Sequence, residues 1–485
     1  MKFPSGMIRY AGDGLRRVFY LDLRMLALFR MGLGGVVLAD LIQRSFSFQA
    51  HYGQAGLLPV EEALWFADFS ALLPLHLWFA SDPSQICLFL IQSLAAIALV
   101  LGVQTRVSTV VCWLLVNSLQ LRNPVLLYGA DRELAALLLW AMFLPLGAKW
   151  SLDARQRCHW TGVDRVYGWA AAGLILQVGL IYFTSVLSKS GETWRDGSAI
   201  LLALNVDVYT RSTGRWLLQF GESLKWLTFA TLIIECLAPC LLVAGKFERG
   251  RWFGCLALIF MQCGFLCFLS VGLFPWISMV GLVALIPGSS ASFKGETKIP
   301  ARVGGGWGEG CAAVLFFLMV YWQIALVPSQ FKNSAVMGKI PDVMAWVYRV
   351  SRLAQSWSMF SPDPPDRDGW FVMQWIVDDT KGFDLFRRGA PVNWSKPTDV
   401  DRMFRSERWK EWMLKVQLRG LKWDRTVERT IKEVVHEKSL RHAGDGPYSY
   451  QVRLWYLEES YDAPGKEPLR HLLFEKSYTD AISTP

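Results

Sequence analysis

The sequence predicts a mainly α protein: a polytopic helical membrane bundle of about nine spans, followed by a small extracytoplasmic α+β domain. Three observations carry that prediction. Of 485 residues, 53% are hydrophobic and only 19% charged, whereas a soluble domain has about 25% charged residues. Mean hydropathy is positive, +0.27. The excess lies in long apolar runs before residue 330, and the composition after that point is ordinary for a soluble domain, so the expected division is 1–328 for the membrane part and 329–485 for the α+β part.

The elements follow in order. The first 20 residues are basic (Lys2, Arg9, Arg16, Arg17), with no cleavage site after a clean apolar core, so they do not read as a signal peptide. Gly14–Arg24 reads as an amphipathic lead-in at the membrane interface. Apolar runs then predict spans near 25–43, 86–103, 107–122, 133–148, 167–187, 226–245, 252–273, 276–289 and 310–328. The eighth is short enough to be a re-entrant piece buried against its neighbours. The basic loops 149–165, 246–251 and 290–309 fall on one side if there are nine spans. That side is then cytoplasmic, which puts the N-terminus inside and the tail outside. In the tail, Trp370–Asp379 and Tyr448–Leu457 read as strands, and Ser361–Asp368 as a turn-rich entry. Arg405–Leu418 and Arg425–Leu440 read as helices, the second with a stripe of Val427, Ile431 and Val434.

Charge and cysteine usage exclude some classes. The net charge of +9 comes from Lys and Arg scattered between apolar runs, which is unlike a nucleic-acid-binding patch. All nine cysteines lie at or before Cys311, with no CxxC, and read as small buried hydrophobes. No histidine cluster has zinc spacing, so no metal is predicted.

Ionisable residues within spans are costly and are functional candidates by default. Arg30 lies early in span one, with Asp40 near its far end. Asp131 and Arg132 open span four, Lys189 closes span five, and Glu235 sits mid-span in six, four residues before Pro239. Helical spacing puts Tyr182, Ser185 and Lys189 on one face. Lys189 reads either as a desolvated base or as a lysine snorkelling at the interface. Arg30 reads as a cytoplasmic-side anchor or a site residue, Glu235 as a paired carboxylate or a hydrogen-bond hub, and Asp131 with Arg132 as a site or a capped helix start.

Several strings, in order along the chain, resemble the HTTM (horizontally transferred transmembrane) family, whose best-known member is the vitamin K-dependent γ-carboxylase. They are Leu26-Ala27-Leu28-Phe29-Arg30, His51-Tyr52 with Gly56-Leu57-Leu58-Pro59, Leu101-Gly102 with Arg106, Trp150-Ser151-Leu152-Asp153, Tyr182-Phe183 with Lys189 and Trp194, and Ser270-Val271-Gly272-Leu273-Phe274. The resemblance covers roughly residues 20–290 and implies a membrane enzyme acting on a quinol at the outer membrane face. Lys189 would be the base that starts the reaction. On that reading Lys189 and Asp131 are the candidate catalytic residues, and Tyr182, Trp194, Arg132, Arg30, Glu235 and Gln262 the candidate pocket. Two family histidine positions differ: the stretch near the start of span four reads Gly129-Ala130-Asp131, and span seven reads Gln262-Cys263.

The expected cofactor is a quinol, with no metal. The expected partners are the lipid bilayer and an exported protein or peptide. The expected location is a bacterial inner membrane, because the tail lacks cysteine, although Asn393-Trp394-Ser395 would be a glycosylation acceptor in a secretory lumen. The alternative function is a non-catalytic membrane-anchored assembly factor or chaperone, which predicts a dry bundle with no cofactor-sized cavity beside Lys189. A transporter is disfavoured by the lack of paired Gly- or Pro-interrupted half-helices.

Overall fold

A computed structural model describes residues 18–66, 72–156, 164–243, 248–288, 301–303, 307–331, 341–377, 382–384, 386–387, 390–419, 428–430, 450–461 and 466–478. A helix stands at each of the nine places where the apolar runs fall: α1 (Leu23–Ser45), α2 (Asp82–Leu101), α3 (Thr105–Arg122), α4 (Gly129–Ala141), α5 (Trp169–Ser188), α6 (Leu224–Val243), α7 (Glu248–Phe268), α8 (Phe274–Leu285) and α9 (Trp307–Phe331). Among the described residues, five stretches are long and apolar enough to cross a membrane. These are α1, α2, α5, α7 and the stretch Ser212–Val243 that contains α6. The protein is therefore a multi-pass membrane protein.

The other helices depart from the simple span pattern for physical reasons. α3 carries Ser108, Asn117, Gln120 and Arg122 and buries all four. It is an interior helix whose neighbours, not lipid, surround it. α4 ends at Ala141, and 142–151 are turns, so the expected run 133–148 is not one helix. At 13 and 12 residues, α4 and α8 are shorter than the roughly 20 a lone crossing needs. Both are buried along most of their length.

Two expectations are corrected. The described part of the amphipathic lead-in is not one helix: Tyr20–Asp22 is a strand, β1, antiparallel to β2 (Arg165–Tyr167), which pairs in parallel with β3 (Ala301–Arg302), and Leu23 and Arg24 already belong to α1. Six of the eight described cysteines (87, 236, 240, 263, 267 and 311) are exposed on the bundle's outer surface, and only Cys112 and Cys255 are buried. In a membrane protein, small apolar side chains are as much at home against lipid as in the core.

The C-terminal residues form a strand-rich region at the end of the bundle where α1, α3 and α5 finish. α10 (Asp342–Ser351) leads into a five-stranded sheet of order β6-β5-β4-β7-β8, and α11 (Glu407–Arg419) packs on the bundle against Pro124–Leu126. Its strands are β4 (Arg367–Val377), β5 (Phe383–Asp384), β6 (Ala390–Pro391), β7 (Tyr450–Ser460) and β8 (Leu469–Tyr478). β4 and β7 pair antiparallel with Trp370 opposite Leu457. Alternation along the strands sends Phe371, Met373, Leu454 and Tyr456 into the core that is continuous with the bundle. Trp370, Val372 and Leu457 pack with Val400 on the other face. The strands near 370–379 and 448–457 and the helix near 405–418 thus stand close to their expected places. Apart from residues 428–430, the helix expected at Arg425–Leu440, with Val427, Ile431 and Val434, lies outside the described residues.

Candidate functional site

Two groups of buried charges lie at the end of the bundle that carries the C-terminal region. The first is a quartet. Asp40 and Arg44 are one turn apart on α1, so their side chains meet at i,i+4 spacing: Arg44 Nε donates to Asp40 Oδ2 at 2.7 Å. Arg44 Nη2 donates to Asp131 Oδ1 at 2.6 Å. From α11, Arg408 donates to Asp131 Oδ2 at 2.5 Å and to Asp40 Oδ1 at 2.6 Å. Arg44 also reaches the Tyr52 hydroxyl. Asp131 Oδ2 accepts from the Tyr128 backbone N–H at 3.0 Å, closing the first turn of α4. Each of the four charged side chains is no more than 6% exposed. Two cations and two carboxylates cancel, and the guanidinium forks satisfy the carboxylate oxygens, as buried ions require.

His51 stands beside this quartet in the short helix Phe48–Tyr52, with its ring 4.9 Å from that of Trp409 on α11. Burial pushes its imidazole down to about 3, and the positive charges of Arg408, Arg44 and Arg405 add to the shift.

The second group is a pair facing a cavity. α5 ends at Ser188, and Lys189 follows as its C-cap. Lys189 Nζ lies 2.5 Å from Glu235 Oε2 on α6, with both side chains about 5% exposed or less. The ammonium also sits 4.6 Å from the centre of the Trp194 ring, a cation–π contact. Ser185, one turn back on α5, stands beside Glu235 on the same wall. Trp194 is fixed in turn by the C-terminal region: its Nε1 donates to the Phe360 carbonyl at 2.9 Å, and the neighbouring Thr193 N–H donates to Asp363 at 2.9 Å.

Lys189, Glu235, Ser185, Tyr182, Trp194 and Gln262 all line one cavity of about 300 Å³. The rest of its wall is overwhelmingly apolar, from Ile181, Leu204, Ile234, Phe265 and Leu269 to Trp357 and Phe360 of the C-terminal region. Phe260, 77% exposed, and Leu227, 43% exposed, also belong to the wall. The cavity therefore opens sideways between α6 and α7 onto the bundle's apolar outer surface. Gln262 stands on the same wall as Tyr182, and its Nε2 donates to the Tyr182 hydroxyl at 2.9 Å.

Five of the eight candidates, Lys189, Glu235, Tyr182, Trp194 and Gln262, thus share one cavity. The other three do not. Asp131 is held in the quartet. Arg132, next to it, points outward and is exposed. Arg30 lies at the opposite end of the bundle, fully buried, donating to the carbonyls of Leu99 and Val100 at 2.9 Å and of Trp150 at 2.6 Å. There it caps the last turn of α2. The left-handed Gly102 (φ +71°) follows, and a Cβ at that position would lie 2.2 Å from Arg30 Nη1. Asp153 accepts from the N–H groups of Gln104 and Thr105 at 2.9 and 2.7 Å, capping α3. The strings around Arg30, Gly102 and Asp153 are one structural knot.

Arg44, Arg408, Glu133 and the lining residues Trp357 and Phe360 are missing from the sequence-based list. The i,i+4 spacing of Asp40 and Arg44 was the one local signal. Arg408 sits in a polar helix hundreds of residues away, and nothing in its neighbourhood marks it as the quartet's fourth member.

Comparisons with curated proteins and with solved structures return no match. The family model for the HTTM domain matches residues 20–287, more than half of the chain, from β1 through α8 and including every residue of the Lys189 cluster except the C-terminal lining. The chain belongs to the HTTM family.

Proposed function

We propose that the protein is a membrane enzyme that takes a lipid-soluble quinol from the bilayer into the cavity beside Lys189. The reading is carried by one observation: a lysine–carboxylate pair faces an apolar cavity that opens toward lipid between α6 and α7. A pocket of this kind, mostly apolar with few convergent polar groups, suits a flat hydrophobic guest with a polar end. Trp194, Phe265 and Trp357 would hold the ring, with Lys189, Glu235 and Tyr182 at its polar groups. A quinol bound there supplies an acidic hydroxyl and reducing equivalents. The Lys189–Glu235 pair accepts one proton, and the Lys189 ammonium then faces the negative charge left behind. The surrounding apolar wall keeps water from competing for either.

The remaining expectations belong to the same proposal: nine crossings, the N-terminus in the cytoplasm, the C-terminal region (329–485) as an external domain, and a bacterial inner membrane. Lys149, Arg155, Arg249 and Arg302 all lie at the end of the bundle opposite the C-terminal region, which supports that orientation. Residues Trp357 to Phe360 close one side of the cavity, as a lid over the site would. In this reading Asp131 helps to dock that lid and takes no part in the chemistry. The alternative, a non-catalytic assembly factor, predicts a closed bundle near Lys189, and the cavity stands against it.

The test is oxidation of menadiol by dioxygen, which takes up the two electrons and two protons as hydrogen peroxide, above the spontaneous rate, and modification of any peptide offered with it, by the purified full-length protein. Loss of turnover in Lys189→Ala and Glu235→Gln, with folding intact, supports the reading. Unchanged turnover in Lys189→Ala overturns it.

A further inference from the structure

On the wall of the cavity away from Lys189, Tyr182 leads back to a buried acid. Gln262 Nε2 donates to the Tyr182 hydroxyl. Behind Tyr182, Ser278 on α8 donates to Glu133 Oε2 on α4 at 2.7 Å, and its hydroxyl stands close enough to the Tyr182 hydroxyl to interact with it. Glu133 is 1% exposed and its Oε1 has no hydrogen-bond partner. Among the described residues no cation pairs with it. The Lys189–Glu235 pair and the quartet both obey the rule that buried carboxylates meet cations, and Glu133 breaks it. A carboxylate with one hydrogen bond and no counter-charge in a dry interior is far costlier than a neutral carboxyl.

We propose that Glu133 is held neutral and serves as the proton store for the cavity, reached through Ser278 and Tyr182. The proposal rests on the guest reading above and adds a second, acidic wall to its site. A neutral Glu133 donates to Ser278 Oγ, and Ser278 then donates to Tyr182. With Gln262 and Ser278 both donating to the Tyr182 oxygen, that hydroxyl's own proton is left for the cavity. When a basic oxygen, formed as the bound quinol reduces dioxygen, takes it, the Tyr182 O–H bond breaks. The Ser278 proton moves to Tyr182 and the Glu133 proton moves to Ser278. One proton has entered the cavity and one negative charge is left on Glu133. Return of a proton along the same chain restores the starting state. Tyr182 is the residue that touches the guest, and Ser278 and Glu133 are positioning residues that act through it.

Infrared difference spectroscopy on the full-length protein in lipid nanodiscs tests this without relying on turnover. With the cavity empty, at a pH well above the ordinary carboxylic range, a neutral-carboxyl band is expected in the wild type and absent from Glu133→Gln. Its absence from the wild type overturns the store whatever binds. On addition of menadiol under dioxygen, whose reduction creates a basic oxygen in the cavity, the wild-type band should give way to a carboxylate band. In Tyr182→Phe and Ser278→Ala the neutral band should stay. Equal loss in either variant overturns the relay. Equilibrium dialysis of menadiol separates this proposal from the guest reading. Binding with no change in the band sinks the relay alone, and no binding sinks both. The Ser278→Ala variant, which removes only a hydroxyl, keeps the test open if Glu133→Gln folds poorly.

Discussion

The quartet around Asp131 and the pair around Lys189 lie at the same end of one bundle, both built from ionised groups withdrawn from water, yet they are finished differently. In the quartet every charge is answered by protein. Arg44 and Arg408 fork onto Asp40 and Asp131, and the fourth member arrives from the C-terminal region. In the pair, Lys189 and Glu235 answer each other on one side only, and the other side is a cavity of about 300 Å³. A satisfied cluster locks two parts of a chain together. An unfinished one leaves room for a reacting molecule. The contrast teaches that an ionisable group in a membrane helix becomes a site candidate through what lies on its free side, not through being charged and buried.

The largest effect that would break the comparison is on the quartet. Arg408→Met leaves two carboxylates facing one guanidinium, and removing one partner of a buried ion pair costs about 3–5 kcal/mol. Thermal unfolding in detergent should show that loss, together with easier proteolysis of the C-terminal region. A stability change below about 1 kcal/mol would mean the quartet locks nothing.

The next effect is a pH dependence. His51 sits near 3 in the fold and near 6.5 in the unfolded chain. Between those values the unfolded state binds the extra proton, so stability falls as the pH drops through about 6.5 and levels off below about 3. His51→Phe removes that dependence. Relative to wild type, its stability should rise by on the order of 3 kcal/mol between neutral pH and about pH 4. Parallel wild-type and variant profiles would contradict the assignment of a buried neutral imidazole against α11.

The pair predicts the opposite pattern. Replacing both members, Lys189→Met with Glu235→Met, substitutes apolar groups for a buried ion pair, which is commonly neutral or stabilising. Stability should change by no more than about 1 kcal/mol while turnover disappears. A collapse of the fold would make the pair a second lock and erase the distinction. The smallest effect expected is for Trp194→Leu, which removes a contact worth about 0.5–2 kcal/mol. It should weaken menadiol binding by between twofold and roughly thirtyfold, read by equilibrium dialysis.

Much of this was legible in the sequence because apolar runs carry their own signal. Runs of Leu, Val, Ile and Phe placed a helix at all nine positions, and their order of strings placed the chain in its family. Length was less legible. α4 stops at Ala141 although the apolar run continues to Ala148, because Pro145 and Gly147 turn the chain inside a protected interior, and hydropathy does not register a turn that neighbouring helices cover. Within the site, Lys189, Tyr182 and Ser185 declared themselves by helical spacing, and Glu235 by standing alone in an oily segment. Asp131 and Arg30 sent the same signal and proved to be held in other places. Burial of a charge can be read from the sequence, but its partner cannot when that partner is Arg408, or the carbonyls of Leu99 and Trp150, far along the chain. Glu133 was hidden for the reverse reason: at a helix start, beside Asp131 and Arg132, it looked like part of an ordinary charged first turn.

The central claim is that the cavity beside Lys189 holds an apolar guest, and mass spectrometry of the purified full-length protein released from its own membrane tests it most directly. Gly264 lines the same cavity, and a Cβ there would meet nothing within 4 Å, so Gly264→Phe should plug the space without disturbing its walls. The account predicts a quinone-sized lipid-soluble molecule bound to the wild type and missing from Gly264→Phe. A wild-type protein that carries no such molecule, or a plugged variant that carries it equally, would contradict it.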